Sequence, residues 1–376
     1  MKLFDVYSLF DVTPVKAKDC YVWDDKGNKY LDLYGGHAVI SIGHSHPHYI
    51  ASLSEQLQRI GFYSNSVKNP LQEELATKLG QLSEMDDYSL FLCNSGAEAN
   101  ENALKLASFH TGRKKVVAFE KAFHGRTSAA VAATDNPKIV SPLNTGHDVV
   151  FLPMNDTRKV SEVLAGNDVA AVIIEGIQGI GGIHIPEPGF LRDLAFLCQK
   201  HNTVLILDEI QSGYGRSGMF FAFQHAGIHP DIVTMAKGMG NGFPVGGLLI
   251  HPDIKASKGM LGTTFGGNYL ACAASIAVLD VINDENLIAN TRATGEYLLN
   301  NLKKSIKTAQ VRGIGLMIGV EFSENIALLR KHLLEKKYIF TGVSGINTVR
   351  LLPPLTLTKA HADVFMQAVQ ELVDST

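Results

Sequence analysis

Short, nearly uninterrupted runs of apolar and β-branched residues recur along the chain, and they limit its fold more than any other feature. They are KVVAF (115–119), DVVFL (148–152), AAVIIEG (170–176), TVLILDEI (203–210), DIVTMAK (231–237) and VGGLLIH (245–251). Runs of this kind suit a mostly parallel sheet covered on both faces by helices. The segments between them, such as FLRDLAFLCQKHN (190–202), space their apolar residues helically and would supply the crossovers. The pattern predicts an α/β fold. From about Asn268 a long helical pattern, NYLACAASIAVLDVIN, leads into a different mix. There VRGIGLMIGVEF (311–322) and TVRLLPPLTL (348–357) read as strands of a smaller α+β domain, and YVWDDKGNKYLDL near the N-terminus reads as a hairpin that joins it. The expected division is an N-terminal segment over 1–50, a large domain over 51–280 and a small domain over 281–376.

A chain of 376 residues that is 45% hydrophobic has enough material for a large core and a smaller one. Its 34 basic and 37 acidic residues are spread evenly, for a net charge of −3, which offers neither a basic stripe for nucleic acid nor a polybasic segment for membranes. Small molecules are the expected partners. The N-terminal MKLFDVYSLFDV interleaves acids with apolar residues, and no stretch reaches the ~18 apolar residues of a membrane span. A cytoplasmic protein without a cleaved signal is expected. The four cysteines, Cys20, Cys93, Cys198 and Cys272, lie far apart without CxxC spacing, so buried free thiols are expected rather than a metal site or a disulfide framework.

Three places carry chemistry. In NSGAEANENALKLA, Ser95 and Glu98 have the spacing of a capping box, while Gly96 and Ala97 leave the first amides of the helix uncovered, a setting that binds phosphate. An ordinary capped helix would carry the same signal. Asp208 ends the apolar run TVLILDEI, where an unpaired carboxylate is costly to bury, and the ends of parallel strands are where open α/β sheets bind ligands. A protonated ring nitrogen would satisfy it, as would a salt bridge or a cap.

Lys237 ends DIVTMAK and is the only charged residue from Ile232 to Ile250. The glycines of KGMGNG let the chain turn close to a ligand, and a desolvated lysine with a lowered pKa is a nucleophile toward an aldehyde, arranged for a Schiff base. GMGNG also invites a dinucleotide-loop reading, but the full G-x-G-x-x-G register and the acidic residue that should follow are missing. Phosphate, ring nitrogen and aldehyde are the three parts of pyridoxal 5′-phosphate (PLP), and the three places match them.

NSGAEANENALKLA, FHGRT (123–127), LDEIQSGYGRSG (207–218), PDIVTMAKGMGNGFPVGG (230–247) and TTFGGNYLACAA (263–274) together resemble the motifs of PLP-dependent, class III aminotransferases of fold type I, and more closely the acetylornithine/ornithine aminotransferase group. The resemblance runs from YLDLYGGHAVISIGHSHP (30–47) to VRLLPP (349–354). It implies a seven-stranded, mostly parallel large-domain sheet and a homodimer with shared active sites. Lys237 would bond the cofactor aldehyde and move the proton, Asp208 would hold the ring nitrogen, Gln211 would lie near the ring hydroxyl and Phe123 would stack on the ring. Phosphate would sit on Ser95, Gly96 and Ala97, with Thr264 arriving from the second subunit. Arg126 would bind the carboxylate remote from the reacting amine and Arg350 the α-carboxylate of glutamate. The implied reaction moves the δ-amino group of N-acetylornithine or N-succinylornithine to 2-oxoglutarate, giving glutamate, in arginine biosynthesis. Free ornithine and 4-aminobutyrate are the alternative amino donors.

Arg216 and Arg312 fall in the same motifs and are expected to be structural, and His44, His46 and His124 lack the spacing of a metal site. Two departures stand out. Where many members read E-P-I-Q-G-E-G-G this chain has EGIQGIGG, so Gly176 replaces a proline and Ile180 a glutamate. In the ornithine enzymes that glutamate pairs with the arginine matching Arg350. His37, in YGGHAV, stands where a small or aliphatic residue is more usual and would either read the acyl group or lie exposed.

Overall fold

The computed structural model describes residues 1–373. Its strands, in chain order, are β1 (Pro14–Lys18), β2 (Tyr21–Asp24), β3 (Lys29–Asp32), β4 (Ser89–Cys93), β5 (Lys115–Phe119), β6 (Val149–Leu152), β7 (Val169–Glu175), β8 (Val204–Asp208), β9 (Ile232–Met235), β10 (Gly246–Ile250), β11 (Ala309–Ile314), β12 (Met317–Phe322), β13 (Ile339–Phe340), β14 (Gly342–Ser344) and β15 (Thr348–Leu351).

The central sheet has seven strands in the order β4-β10-β9-β8-β7-β5-β6. β7 and β8 are buried along their whole length, which is why their sequences show no polar alternation. β10 runs antiparallel to both β9 and β4, while the other neighbouring pairs of the sheet are parallel. The connection 236–245 that precedes β10 is shorter than the about a dozen residues a parallel crossover takes, so the chain doubles back.

Helices cover the faces. Pro188–Lys200 turns Phe190, Leu191, Leu194, Leu197 and Cys198 inward, and Gly96–Thr111 packs its Ala99, Ala103, Leu104 and Ala107 against the other side of the sheet strands. Small residues there let helix and sheet approach closely. Tyr269–Asp284 is apolar nearly all round and buried from Ala271 to Ile282 except at Asp280, which pairs with Lys78 and His48.

Two smaller sheets complete the chain. One has the order β1-β2-β3-β13 and the other β11-β12-β15-β14. β13 lies parallel to β3, with Ile339 opposite Leu31. A separate apolar cluster, including Leu31, Leu33, Leu298, Ile318, Leu351 and Phe365, therefore draws on both ends of the chain. The four cysteines are buried and unbonded to one another. Among the described residues no helix is long and apolar enough to cross a membrane.

Candidate active site

The parallel strands end in register. Glu175 of β7 stands beside Asp208 of β8, and Asp208 beside Thr234 of β9. Lys237 follows two residues after β9 ends, and at these carboxyl ends a cavity of ≈ 260 Å³ opens. Its wall includes Lys237 and Asp208, Gly96 and Ala97, Phe123 and Arg126, and Gln211, bringing together most of the residues singled out by sequence.

Lys237 has φ 48°, a left-handed conformation that a side chain adopts at a cost of roughly 1–2 kcal/mol. Such strain persists where the surroundings impose it and points to a functional position. Burial lowers the pKa of its amine, while the negative charges of Asp208 and Glu175 act in the opposite direction and Arg350 reinforces the lowering. The neutral amine, the form that attacks a carbonyl, is thereby favoured over that of a surface lysine.

Asp208 is 4% exposed and hydrogen-bonded through both oxygens. Its Oδ2 accepts from His124 Nδ1 and from Asn100 Nδ2, both at 2.7 Å, and Oδ1 accepts from the Ile210 amide at 3.1 Å. The carboxylate that the sequence leaves in need of a cation thus already has a histidine beside it. Asn100, 0% exposed, is a second organising group: Nδ2 also donates to the His124 carbonyl at 2.7 Å and Oδ1 accepts from Thr234 Oγ1 at 2.7 Å. Sequence reading overlooked Asn100, and it treated His124 only as a poor metal ligand. The NSGAEAN and FHG motifs contain both residues, but nothing in their spacing shows that they converge on Asp208.

At the helix Gly96–Thr111, Ser95 Oγ accepts from Glu98 N at 3.2 Å, as expected of the cap. The reciprocal half of the capping box does not form. Glu98 Oε2 reaches one residue further back, to Asn94 N at 2.6 Å and Asn94 Nδ2 at 3.0 Å, because two donors of one residue capture it. The Gly96 and Ala97 amides have no acceptor among the described residues. Gly125 packs against this turn with φ 136°, and a Cβ there would stand 2.8 Å from Ala97 Cβ, which keeps the approach to the helix start bare.

Arg126 is exposed at the cavity rim. Arg350, 3% exposed, lies beyond Gln211; its Nε donates to Val343 O at 3.0 Å and its Nη1 to Gln211 Oε1 at 3.4 Å. Neither arginine has a carboxylate partner among the described residues, and burial lowers the pKa of Arg350. Gln211 also donates through Nε2 to the His37 carbonyl at 3.1 Å. The His37 ring lies against the Tyr34 hydroxyl, 2.8 Å from Nε2; the residue reaches solvent, but partial desolvation of the ring together with the charges of Arg350 and Lys237 pushes its pKa down to about 4. It is therefore neutral at physiological pH.

Ile180 is 39% exposed at the cavity wall and brings no charge. At Gly176 a Cβ would fall 2.4 Å from Glu209 Oε1, so the buried Glu209 side chain takes the space a proline ring would need. Thr264 is exposed and does not line the cavity; its neighbour Thr263 instead accepts from Asn94 Nδ2 at 3.3 Å. Arg216 is buried and donates to the Leu316 carbonyl at 3.3 Å and to the Pro353 carbonyl, and Arg312 ties Gly182 O at 2.8 Å to Glu321. His44 and His46 pair with Asp32 and Glu285.

Open amides at a helix start, a fixed carboxylate, an aromatic ring and an unbonded lysine facing one cavity fit the phosphate, ring nitrogen, ring face and aldehyde of PLP, and they define a PLP-dependent transaminase site. The sequence matches the model of the aminotransferase class-III family over residues 5–373, and the chain belongs to that family. It is 40% identical to the acetylornithine aminotransferase of Oceanobacillus iheyensis over 98% of this chain and 95% of that protein. The Bacillus subtilis acetylornithine aminotransferase is also 40% identical, over 98% and 96%. Among solved structures, the ornithine aminotransferase of Toxoplasma gondii superposes with a TM-score of 0.92 at 28% identity, covering 98% of this chain and 93% of that one. The acetylornithine aminotransferase of Elizabethkingia anophelis gives 0.84 at 29%, covering 98% and 95%.

Proposed function

We propose that this aminotransferase moves the δ-amino group of an N-acylated ornithine, N-acetylornithine or N-succinylornithine, to 2-oxoglutarate, as a cytoplasmic homodimer serving arginine biosynthesis. The observation that carries the reading is Arg350, a buried guanidinium without a carboxylate partner, set behind the cavity that holds Lys237. Such a group is suited to receive the α-carboxylate of glutamate. Arg126, exposed and unpaired at the rim, is suited to the carboxylate at the far end of either substrate. An acyl group on the α-nitrogen leaves only the distal amine free to react.

When bound, PLP supplies an aldehyde that captures the substrate amine and a ring that takes up the electron pair left by proton removal. The protein does the rest. Ser95 and the amides of Gly96 and Ala97 would hold the phosphate, Phe123 would cover a ring face, and Gln211 would serve the hydroxyl side of the ring. Asp208, fixed by His124 and Asn100, would favour the protonated form of the ring nitrogen. Lys237 would take up and give back the proton at the substrate carbon that bears the amine. Thr264 would close the phosphate site of a second copy. Its exposure and that of Phe265 (60%), which packs on the half-exposed Phe62 with ring centroids 5.4 Å apart, support an interface there. The similarity to acetylornithine aminotransferases supports the acetyl substrate over the succinyl one.

The test is the visible absorbance of purified protein before and after N-acetylornithine, N-succinylornithine and free ornithine are added separately. Loss of the visible band with N-acetylornithine, and recovery on adding 2-oxoglutarate, is expected. Loss only with free ornithine would overturn the substrate reading.

A further inference from the structure

We propose that Glu175 is the counter-charge of Arg350 in this chain, a positioning residue that takes the place Ile180 leaves empty. The inference rests on the assignment of Arg350 to the glutamate carboxylate.

Glu175 closes β7, is 6% exposed and lines the cavity. Its Oε1 accepts from Phe123 N at 3.0 Å and its Oε2 from Gly179 N at 2.8 Å. Gly179 in turn lies so close to Gln211 that a Cβ would fall 1.8 Å from Gln211 Oε1, the oxygen that accepts from Arg350 Nη1. A continuous line of contacts therefore runs from Glu175 through Gly179 and Gln211 to Arg350. Asp208, the neighbouring acid of the wall, is already held by His124 and Asn100.

The charged groups around this line agree. Glu175 faces His124, Asp208 and Lys237, and its charge favours the cationic forms of both Lys237 and Arg350 against burial. Arg350 otherwise faces Tyr34 and a second cation, Arg330. No carboxylate reaches ion-pair distance of either arginine among the described residues. A glutamate at 180 would stand in the open wall and have to leave before substrate carboxylate could enter. Glu175 is locked at a strand end, so it offsets Arg350 without obstructing it.

Opposite effects on the two half-reactions follow. With an acylornithine there is no anion beside Arg350, and Glu175 is its main offset. With glutamate, the fixed charge of Glu175 already offsets the guanidinium and weakens its hold on the substrate carboxylate through space. In Glu175→Gln holoenzyme, single-turnover absorbance changes should show the half-saturating glutamate concentration falling about fivefold and that of N-acetylornithine rising by about the same factor, a modest through-space coupling. Adding Ile180→Glu to that variant should restore the glutamate value.

A purely structural role would weaken both half-reactions together, and that result, or no change in either, overturns the proposal. Glu175→Asp keeps the charge and should behave as wild type; the split seen with Glu175→Gln would count against the idea. Wild-type protein supplies a measurement independent of folding. Burial raises the Glu175 pKa to about 7, so the carboxylate ionises between pH 6 and 8 and the half-saturating glutamate concentration should rise across that range. A flat profile refutes it. Thermal stabilisation of cofactor-free protein by glutarate should be greater in Glu175→Gln than in wild type. Protein that reacts with glutamate but with no acylornithine refutes the donor assignment alone, and the glutamate results still decide the role of Glu175.

Discussion

Removing the side chain of Asn100 tests whether the site is held from behind as the structure implies. Asn100→Ala deletes three hydrogen bonds at a fully buried position: one to the Asp208 carboxylate, one to the His124 carbonyl and one from Thr234 Oγ1, each 2.7 Å long. A bond to a charged group contributes about 1.5–3 kcal/mol and a neutral one about 1, so the loss sums to about 3–5 kcal/mol. At roughly 2 °C per kcal/mol, suitable for a large chain, the apparent Tm should fall about 6–10 °C. Asp208 keeps His124 and the Ile210 amide, so the variant should still bind PLP, with weaker retention on dialysis. Differential scanning calorimetry of the cofactor-free protein and absorbance titration with PLP measure the two effects. A Tm within 2 °C of wild type, together with unchanged retention, would refute the claim that Asn100 organises the carboxylate.

Three further outcomes are expected. Lys237→Ala and Lys237→Gly should both lose the visible band and turnover, but the glycine variant should be more stable by about 1 kcal/mol in the cofactor-free state, since only glycine relieves φ 48°; equal melting temperatures would rule this out. Ile180→Glu places an acid in a half-open wall, on a residue whose carbonyl accepts from Ser344, next to the Val343 carbonyl that Arg350 holds, and should raise the half-saturating glutamate concentration roughly threefold to fivefold, the worth of a partly exposed ion pair at up to about 1 kcal/mol; identical constants in both half-reactions would disprove it. Glu209 accepts from Ser212 Oγ and the Ala222 and Phe223 amides, yet burial raises its pKa to about 7. A carboxyl whose folded pKa lies above its unfolded value near 4.5 contributes stability that is complete below that value and is lost as pH climbs to about 7. The apparent Tm should therefore decline between pH 5 and 8, less steeply in Glu209→Gln.

The sheet was legible because burial on both faces writes itself into sequence as continuous apolar runs; β5, β6, β8, β9 and β10 lie within such runs, and β7 begins one residue ahead of its own. Asp208 and Lys237 were legible for the same reason, as charges where an apolar run stops. The direction of β10 was not, since an apolar run says nothing about which way a strand points and only the length of its connection decides. Asn100, His124 and Glu175 escaped because each is unremarkable in its own segment. They converge through the register of β7 with β8 and the packing of the helix Gly96–Thr111 against the sheet, which are long-range properties. Glu98 was misplaced by one residue because a side-chain amide, Asn94 Nδ2, competed for its carboxylate.

The parallel pairing of β3 with β13 joins segments about three hundred residues apart in the chain, among the longest closures a polypeptide of this length can make. During synthesis the hairpin emerges about three hundred residues before the strand that completes its sheet. Until then β3 presents an unpaired edge and the apolar residues Leu31 and Leu33 have no partners from the C-terminal helices. The nascent chain therefore carries these strands unfinished while about three hundred further residues are made, a window in which aggregation competes with folding and a holdase has something to hold.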